Sequence, residues 1–126
     1  ARMHIVRAVA RACLVFLPAQ AEFQRIDGTK KAVDIETLVI PERHNVFCFY
    51  ADNNTICRAL YPDFVKLGSR RLTEFQLIDV GSVSSPTSKK YALTSVPYFV
   101  IYNNRGKLVS EGAPAYKQVT DWIAGK

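Results

Sequence analysis

The stretch Val46–Phe64, VFCFYADNNTICRALYPDF, decides the fold of this 126-residue chain. Asn45 to Ala51 is a compact apolar run, which predicts a buried central strand. The next four residues, Asp52 to Thr55, are suited to turns and helix caps. A helix is predicted from Ile56 to about Leu67, because its apolar residues recur on one face. The stretch therefore indicates a strand that ends in a turn at the start of a helix.

The predicted helix contains a proline and is followed by a glycine. Pro62 cannot donate a hydrogen bond to the carbonyl four residues earlier, so we expect it to kink the helix or to mark its second half. Gly68 is expected to end the helix, since glycine readily adopts the backbone conformation that follows a helix.

Further elements are predicted on both sides of this stretch. Phe23–Ile26, an Asp27-Gly28 turn and Lys31–Val33 predict a short hairpin-like entry. Asp34 is expected to cap a helical turn that ends before Pro41. The elements predicted after the helix are the strand Phe75–Val80, a helix from Ser84 to about Leu93, the strands Tyr98–Tyr102 and Lys107–Glu111, and the helix Tyr116–Ala124.

The order of these elements determines the expected fold class. Helices between the early strands imply parallel pairing, and the tight Asn103–Gly106 loop implies an antiparallel hairpin near the end. The length suits one domain, since autonomous domains usually run about 100 to 200 residues. We therefore expect one α/β domain over residues 22–126, with a mixed central β-sheet flanked by helices on both faces.

The composition excludes several classes of protein. With 48% hydrophobic and 22% charged residues, the chain is neither disordered nor collagen-like. Its three cysteines are too few for a disulfide-rich scaffold, and they form no Cys-x-x-Cys pair, which excludes a zinc ribbon or finger. His44, Cys48 and Cys57 have no evident fourth ligand beside them, so we expect no metal site and no cofactor.

Residues 1–21 have the three parts of a secretory signal peptide. Arg2, Arg7 and Arg11 supply positive charge, Ala12–Leu17 is apolar, and Ala19-Gln20-Ala21 is a small-x-small triplet. The apolar run is too short to span a bilayer, where about 20 residues are needed, so we expect no stable membrane insertion. Cleavage after Ala21 predicts a secreted or periplasmic protein. The alternative is a basic amphipathic helix that stays on a cytoplasmic chain.

The net charge of +6 suggests a nucleic-acid or membrane-surface partner at first sight. Loss of residues 1–21, which hold three arginines and no acid, would lower this charge to +3. The basic pairs Lys30-Lys31, Arg70-Arg71 and Lys89-Lys90 are scattered and lack an aromatic RNA-binding platform. We therefore expect solvated surfaces and no nucleic-acid partner.

Two further segments, FQLIDV at 75–80 and KKYALTSVPYFVIYNNRGKLV at 89–109, combine with the opening stretch and Gly112 to carry a family resemblance. On these segments the chain resembles the thioredoxin-like family, over roughly Asp34 to Ile123. In that family an aromatic strand ends in Cys-x-x-Cys at a helix start, and a cis proline lies about forty residues later. Pro97 follows Cys57 by forty residues. The resemblance implies a thioredoxin-like three-layer fold.

The active-site positions depart from the family pattern. Asn54 occupies the position of the nucleophilic first cysteine, so Asn54-Thr55-Ile56-Cys57 is an Asn-x-x-Cys motif. The resemblance places the buried acid of many thioredoxins at Cys48 and its lysine partner at Phe75. Without the first thiol, two-step dithiol exchange cannot run in its usual form. Asn54 is instead expected to cap the helix through its side chain.

Two interpretations stay open for the remaining cysteines. Cys57 is either a reactive thiol in the first helical turn, where the macrodipole favours a thiolate, or a buried residue that only packs. The resemblance places Cys48 directly behind it, and in an oxidising compartment the two can form a structural or redox-active disulfide. Two packed free thiols are the alternative.

Pro97 is the other functional residue that the resemblance implies. It predicts a cis peptide after Val96 and a groove whose backbone pairs with an extended substrate segment. The alternative is that Pro97 only begins a strand. The residues expected to line the groove are Tyr50, Ile56, Val96, Pro97 and Gly112.

Two functions follow from these residues. The first is a weak or specialised thiol–disulfide redox role through Cys57, alone or with Cys48, on a protein or peptide partner. The second is a non-catalytic interaction module that holds an extended partner in the Pro97 groove. In either case we expect a monomer.

Overall fold

A computed structural model describes residues 23–126, so the predictions for residues 1–21 lie outside the described residues. Within that range, five strands form one sheet in the order β1-β3-β2-β4-β5. The strands are β1 (Gln24–Asp27), β2 (His44–Tyr50), β3 (Thr73–Asp79), β4 (Tyr98–Tyr102) and β5 (Leu108–Glu111).

The sheet combines parallel and antiparallel pairing. β1 and β2 each run parallel to β3, whereas β4 runs antiparallel to both β2 and β5. β2 is therefore the central strand, and all of its residues after His44 are buried. Cys48 lies in its middle, opposite Leu77 of β3 and Phe99 of β4. The predicted mixed sheet is confirmed.

Four α-helices and one 3-10 helix connect the strands in the part of the chain that the structure describes. The helices are the 3-10 helix Ile35–Leu38, α1 (Thr55–Ala59), α2 (Tyr61–Gly68), α3 (Pro86–Lys90) and α4 (Ala113–Ile123). The predicted cap of the 3-10 helix is confirmed, since the Asp34 side chain accepts a hydrogen bond from the Glu36 N–H.

Alternating side chains of the strands form two apolar clusters, one on each face of the sheet. One cluster includes Cys48, Cys57, Phe64 of α2, Phe75 and Val119 of α4. The other includes Ile35 of the 3-10 helix, Phe47, Phe49, Ile78 and Leu93. Because helices cover both faces, the fold has the predicted three layers.

Pro62 marks the second half of the predicted helix, as expected. α1 ends at Ala59, and α2 begins at Tyr61 after Leu60, whose dihedral angles are φ −85° and ψ −5°. Pro62 lies in the first turn of α2, where backbone N–H groups have no helical acceptor in any case. Because the helix is broken here, Cys57 and Phe64 reach the same apolar cluster from two separate helices.

The predicted hairpin-like entry is wrong. β1 pairs with β3 rather than with Lys31–Val33, which forms no strand. The Asp27 carboxylate accepts a hydrogen bond from the Thr29 N–H at 2.8 Å, and the Gly28 N–H donates to the Asp79 carbonyl at 2.7 Å. The partner of β1 is therefore a parallel strand far along the chain, whereas the turn residues predicted a partner directly after the turn.

Two helix boundaries also differ from the prediction. α3 ends at Lys90 rather than near Leu93, because Ala92 adopts a left-handed conformation with φ 53° and the Leu93 N–H bonds back to the Ser88 carbonyl. α4 begins at Ala113 rather than Tyr116. Gly112, with φ 72°, turns the chain out of β5, and Pro114 suits the first turn that follows.

Thr87 of α3 ties the entry segment to the body of the domain. Its fully buried hydroxyl donates to the Gly28 carbonyl at 2.8 Å and accepts from the Val33 N–H at 3.0 Å. We expect Thr87→Val to lower the free energy of unfolding by about 1 to 3 kcal/mol, because buried backbone groups lose their partner. Urea denaturation measures this loss, with Thr37→Val at an exposed position as the control. Equal losses in the two variants would contradict the assignment.

Candidate functional site

The turn after β2 places Asn54 at the N-terminus of α1. The backbone of Asn54 is extended, and its side-chain Oδ1 accepts a hydrogen bond from the Cys57 N–H at 3.0 Å. This is the predicted N-cap. The Nδ2 group of the same side chain donates to the Val96 carbonyl at 3.4 Å. One carboxamide thus joins the start of α1 to the loop before Pro97.

Of the other residues predicted for the groove, Tyr50 lines a cavity beside Cys57 instead, and Ile56, Pro97 and Gly112 are placed as follows. The Val96–Pro97 peptide is cis, as predicted, and both residues are half-buried. Ile56 projects from α1 with 58% of its surface exposed. Gly112 packs closely against Tyr98, since an added Cβ would lie 3.4 Å from that ring. The structure thus brings Asn54 and Val96 together and leaves Ile56 open to solvent.

Cys48 and Cys57 are both free thiols, and both are buried in the same apolar cluster. Cys57 is only 1% exposed. The Cys48 Sγ makes a long hydrogen bond to the Phe49 carbonyl at 3.7 Å. The structure therefore shows the packed thiols that were the alternative to a disulfide.

Burial governs the ionisation of these cysteines. It raises the pKa of the Cys48 thiol well above its usual value, and the neighbouring Cys57 adds to the rise. Burial also raises the pKa of Cys57, with a further rise from Asp52, while a hydrogen bond from the Ala51 backbone opposes both. Both thiols are therefore protonated near neutral pH, and the nucleophilic thiolate is scarce.

A cavity of about 280 Å³ lies beside Cys57, and we call it the Cys57 cavity. The residues that line it are Tyr50, Asp52, Cys57, Arg58, Tyr61 and Phe64. Tyr50 and Cys57 were among the predicted site residues, but the other four carried no signal in the sequence. They come from the turn, α1 and α2, so their proximity depends on the fold.

Charged side chains frame one side of the Cys57 cavity. Arg25 of β1 donates to both carboxylate oxygens of Asp52 at 3.1 Å, and its guanidinium lies 5.3 Å from the centre of the Tyr50 ring. Arg58 donates to the Asp52 backbone carbonyl at 3.0 Å. The cations next to the cavity therefore already have acceptors.

Tyr50 carries a buried hydroxyl close to the Asp52 carboxylate. Only 3% of the residue is exposed, and the hydroxyl makes no well-formed hydrogen bond with the described residues. Burial raises the pKa of this hydroxyl; Arg25 opposes the rise, while the charges of Asp52 and Asp79 and a hydrogen-bonding interaction with the Asp52 side chain add to it. The group is therefore a protonated hydrogen-bond donor at every physiological pH.

Side chains that could bind a metal ion do not cluster in the described part of the chain. Within residues 23–126, no three His, Cys, Asp or Glu side chains form a group that could hold a metal ion. The His44 ring instead packs near Trp122, with ring centres 6.4 Å apart. None of the helices in this range is long and apolar enough to cross a membrane.

Comparison with known proteins gives one sequence relative and many similar folds. The chain matches no protein-family model. It is 27% identical over 112 residues to a thiol:disulfide interchange protein, a TxlA homolog of Synechocystis sp., in a match that covers 84% of this chain. The match covers 62% of the relative, so the chain corresponds to less than two thirds of that protein's length.

Several of the similar solved structures are thioredoxins. The reduced thioredoxin pre-protein of Schistosoma mansoni is 26% identical with a TM-score of 0.57, covering 81% of this chain and 97% of that one. Thioredoxin of Fasciola hepatica is 27% identical with a TM-score of 0.56, covering 79% of this chain and 97% of that one. The chain has the thioredoxin fold.

Proposed function

We propose that this thioredoxin-fold chain has a specialised thiol–disulfide redox role in which Cys57 is the single reacting thiol. The observation that carries the proposal is the position of Cys57 in the wall of an open cavity, at the start of α1. The sequence similarity to a thiol:disulfide interchange protein supports the same class of chemistry. The partner is a protein or peptide thiol or disulfide.

The reaction differs from dithiol exchange because Asn54 has no sulfur. The Cys57 thiolate attacks one sulfur of the partner disulfide, the partner S–S bond breaks, and the leaving sulfur takes up a proton to depart as a thiol. An external thiol then attacks the mixed disulfide and releases reduced Cys57, while the external thiol becomes part of a new disulfide. Turnover therefore requires a second thiol from outside the chain.

The raised pKa of Cys57 sets the pH dependence of this reaction. Below that pKa the thiolate fraction grows about tenfold per pH unit, so we expect the rate to keep rising from about pH 7 to about pH 9. An ordinary exposed cysteine begins to level off near its pKa of about 8.5. The neutral thiol is the form that folding favours, so the contribution of Cys57 to stability falls as pH rises above that unfolded-state value.

Insulin reduction with glutathione as the external thiol tests the proposal. We expect slow reduction above the glutathione background, increasing with pH, and we expect Cys57→Ser to abolish the increase. Mass spectrometry is expected to detect a mixed disulfide at Cys57. Equal rates for the parent and Cys57→Ser at every pH would refute the redox role.

A non-catalytic interaction module is the second candidate, and the contact between Asn54 and Val96 favours it. That contact fixes the loop before Pro97 without any thiol, and Ile56 presents an exposed apolar side chain beside it. Selection from a displayed library of extended peptides tests this function. A genuine groove ligand should bind Cys57→Ser as well as the parent and should lose binding to Ile56→Asp.

The proposed place of action is the periplasm or the cell exterior. This part of the proposal is supported by the arginines, apolar run and small residues of positions 1–21. Cell fractionation of the full chain tests it, and recovery of an unprocessed protein from the cytoplasm would contradict it.

A further inference from the structure

We infer that a second cavity, far from Cys57, is a binding site for a small carboxylic acid with an apolar or aromatic body. The cavity measures about 390 Å³, and we call it the Arg70 cavity. The residues that line it include Val65, Lys66, Leu67, Arg70, Trp122 and Ile123. The inference goes beyond the proposed redox role and does not depend on the reactivity of either cysteine.

The Arg70 cavity lies between the C-terminal ends of α2 and α4, whose last turns supply most of its wall. Trp122 in this wall packs near His44, the first residue of β2. Tyr50, the last residue of β2, lines the Cys57 cavity instead. A strand rises about 3.3 Å per residue, so the two cavities lie roughly 20 Å apart at opposite ends of the central strand.

The groups that would meet a ligand are accessible from solution. Lys66 is exposed, and Arg70 and Trp122 are only half-buried. Val65 and Ile123, which supply apolar wall, are half-buried as well. A small molecule can therefore reach both cations and the indole ring without a change in the fold.

The guanidinium of Arg70 is held in place before any ligand arrives. It lies over the Trp122 ring, 4.3 Å from the ring centre, and its Nη1 donates to the Thr73 hydroxyl at 2.9 Å. The backbone is fixed as well, since the Arg70 N–H donates to the Leu67 carbonyl at 3.1 Å and the Arg70 carbonyl accepts from the Thr73 N–H at 3.3 Å. The side chain therefore loses little conformational freedom when it binds an anion.

The positive charge of the cavity wall has no acidic partner. The two ion pairs found within residues 23–126 involve neither Lys66 nor Arg70, and Asp121 of α4 is paired with Lys117. The described residues that line the cavity include no Asp or Glu. A guanidinium has five N–H donors in a planar fork that matches the two oxygens of a carboxylate. The wall therefore selects an anion, and a carboxylate in particular.

The rest of the wall determines the body of the ligand. Val65, Leu67 and Ile123 present aliphatic side chains, and Trp122 presents an aromatic ring. Aromatic rings favour stacked or edge-on contacts with a second ring. The volume lies within the range of about 300 to 1,000 Å³ that is usual for small-molecule sites. A carboxylate on a short chain that ends in a ring therefore matches the cavity in charge, polarity and size.

3-Phenylpropanoate is a probe with these properties, and 3-phenylpropanamide is its uncharged counterpart. Trp122 is the single tryptophan of the chain, so its indole N–H gives one NMR signal that reports directly on the cavity. We expect 3-phenylpropanoate to shift this signal in a saturable way. The amide should bind at least about fivefold more weakly, because hydrogen bonds to a charged group are roughly twice as strong as neutral ones. Added salt should weaken binding of the acid and leave the amide unaffected.

Substitutions in the full chain identify the groups that bind the carboxylate. Arg70→Gln should weaken binding of 3-phenylpropanoate at least about fivefold, since it removes the fork and its charge. Lys66→Gln should weaken it about two- to threefold, because a flexible lysine acts as a point charge. Arg71→Gln is the matched control, because Arg71 is exposed and lies outside the cavity wall, and it should leave the affinity unchanged. Thermal unfolding checks that each variant is folded, and Lys66→Gln serves as the test if Arg70→Gln is not.

Three results would overturn the inference. Equal affinities for the acid and the amide would show that the cavity does not recognise the anion, and equal losses in Arg70→Gln and Arg71→Gln would show only a diffuse effect of net charge. An indole signal that does not move up to about 20 mM acid, a concentration that would fill a site with a Kd of about 1 mM, would leave the contact between Arg70 and Trp122 a purely structural role. Tighter binding of a peptide that ends in phenylalanine would reassign the site to the C-terminus of a partner protein.

Discussion

Asn54→Cys is expected to convert the chain into a dithiol reductase that reduces insulin without glutathione as the external resolving thiol. Position 54 is the N-cap of α1, three residues before Cys57, and the Asn54 side chain already contacts the Cys57 backbone at 3.0 Å. A thiolate at a helix N-terminus has a lowered pKa, so the new cysteine supplies the nucleophile that the parent lacks. Cys57 then serves as the resolving thiol in the same helical turn. We expect the rate of insulin reduction to rise at least about tenfold, because an intramolecular step replaces a bimolecular one.

Two further variants separate the new chemistry from the loss of the cap. Asn54→Ala should lower the free energy of unfolding by about 0.5 to 2 kcal/mol without any gain in reductase activity, since it removes the cap alone. Asn54→Cys combined with Cys57→Ser should capture insulin as a stable mixed disulfide and fail to release it. If Asn54→Cys forms an internal disulfide but gains no reductase activity, then the burial of Cys57, rather than the missing nucleophile, is what prevents insulin reduction.

Cys48→Asp is expected to destabilise the domain strongly at neutral pH. Residue 48 is fully buried between Leu77 and Phe99 in the sheet, and Phe75 stands where the family resemblance implies a lysine partner. A buried charge without a partner lowers the free energy of unfolding by about 3 to 5 kcal/mol. Burial raises the pKa of the new carboxyl above its unfolded value of about 3.9, so folding favours the protonated form. Stability should therefore be regained as the pH falls toward about 4 and lost as it rises through the folded-state pKa.

Urea denaturation at several pH values measures this effect. Cys48→Ala is the control, and we expect a smaller loss that does not depend on pH between about 4 and 7, because alanine does not titrate. Adding Phe75→Lys to Cys48→Asp should recover part of the stability at neutral pH, since both positions belong to one apolar cluster and lie on neighbouring strands. A Cys48→Asp protein as stable as Cys48→Ala at pH 7 would show that water reaches this position.

The central part of the fold was predictable because its signals are local. The apolar run of β2, the capping side chain of Asn54 and the proline that divides α1 from α2 each act within a few residues. The cis peptide before Pro97 was predicted from a family resemblance rather than from local energetics, and the structure has it.

The errors arose where partners are far apart in sequence. Local turn residues after β1 predicted a hairpin, but Arg25 of β1 lies opposite Leu77 of β3 instead. That same pairing brings Arg25 into contact with Asp52 and Tyr50. The charged contacts beside the Cys57 cavity could therefore not be predicted either. No periodic pattern relates these residues, because they meet only after the parallel sheet has formed.

The carboxamide of Asn54 makes the contact with the loop before Pro97 insensitive to the redox state of the solution. In a dithiol protein the corresponding position alternates between a thiol and a disulfide, and its neighbours sense the oxidation state. An amide undergoes no such change, and its bonds to the Cys57 N–H and the Val96 carbonyl are the same in reducing and oxidising media. Any segment held against this loop would therefore be held with an affinity that does not depend on the oxidation state of position 54.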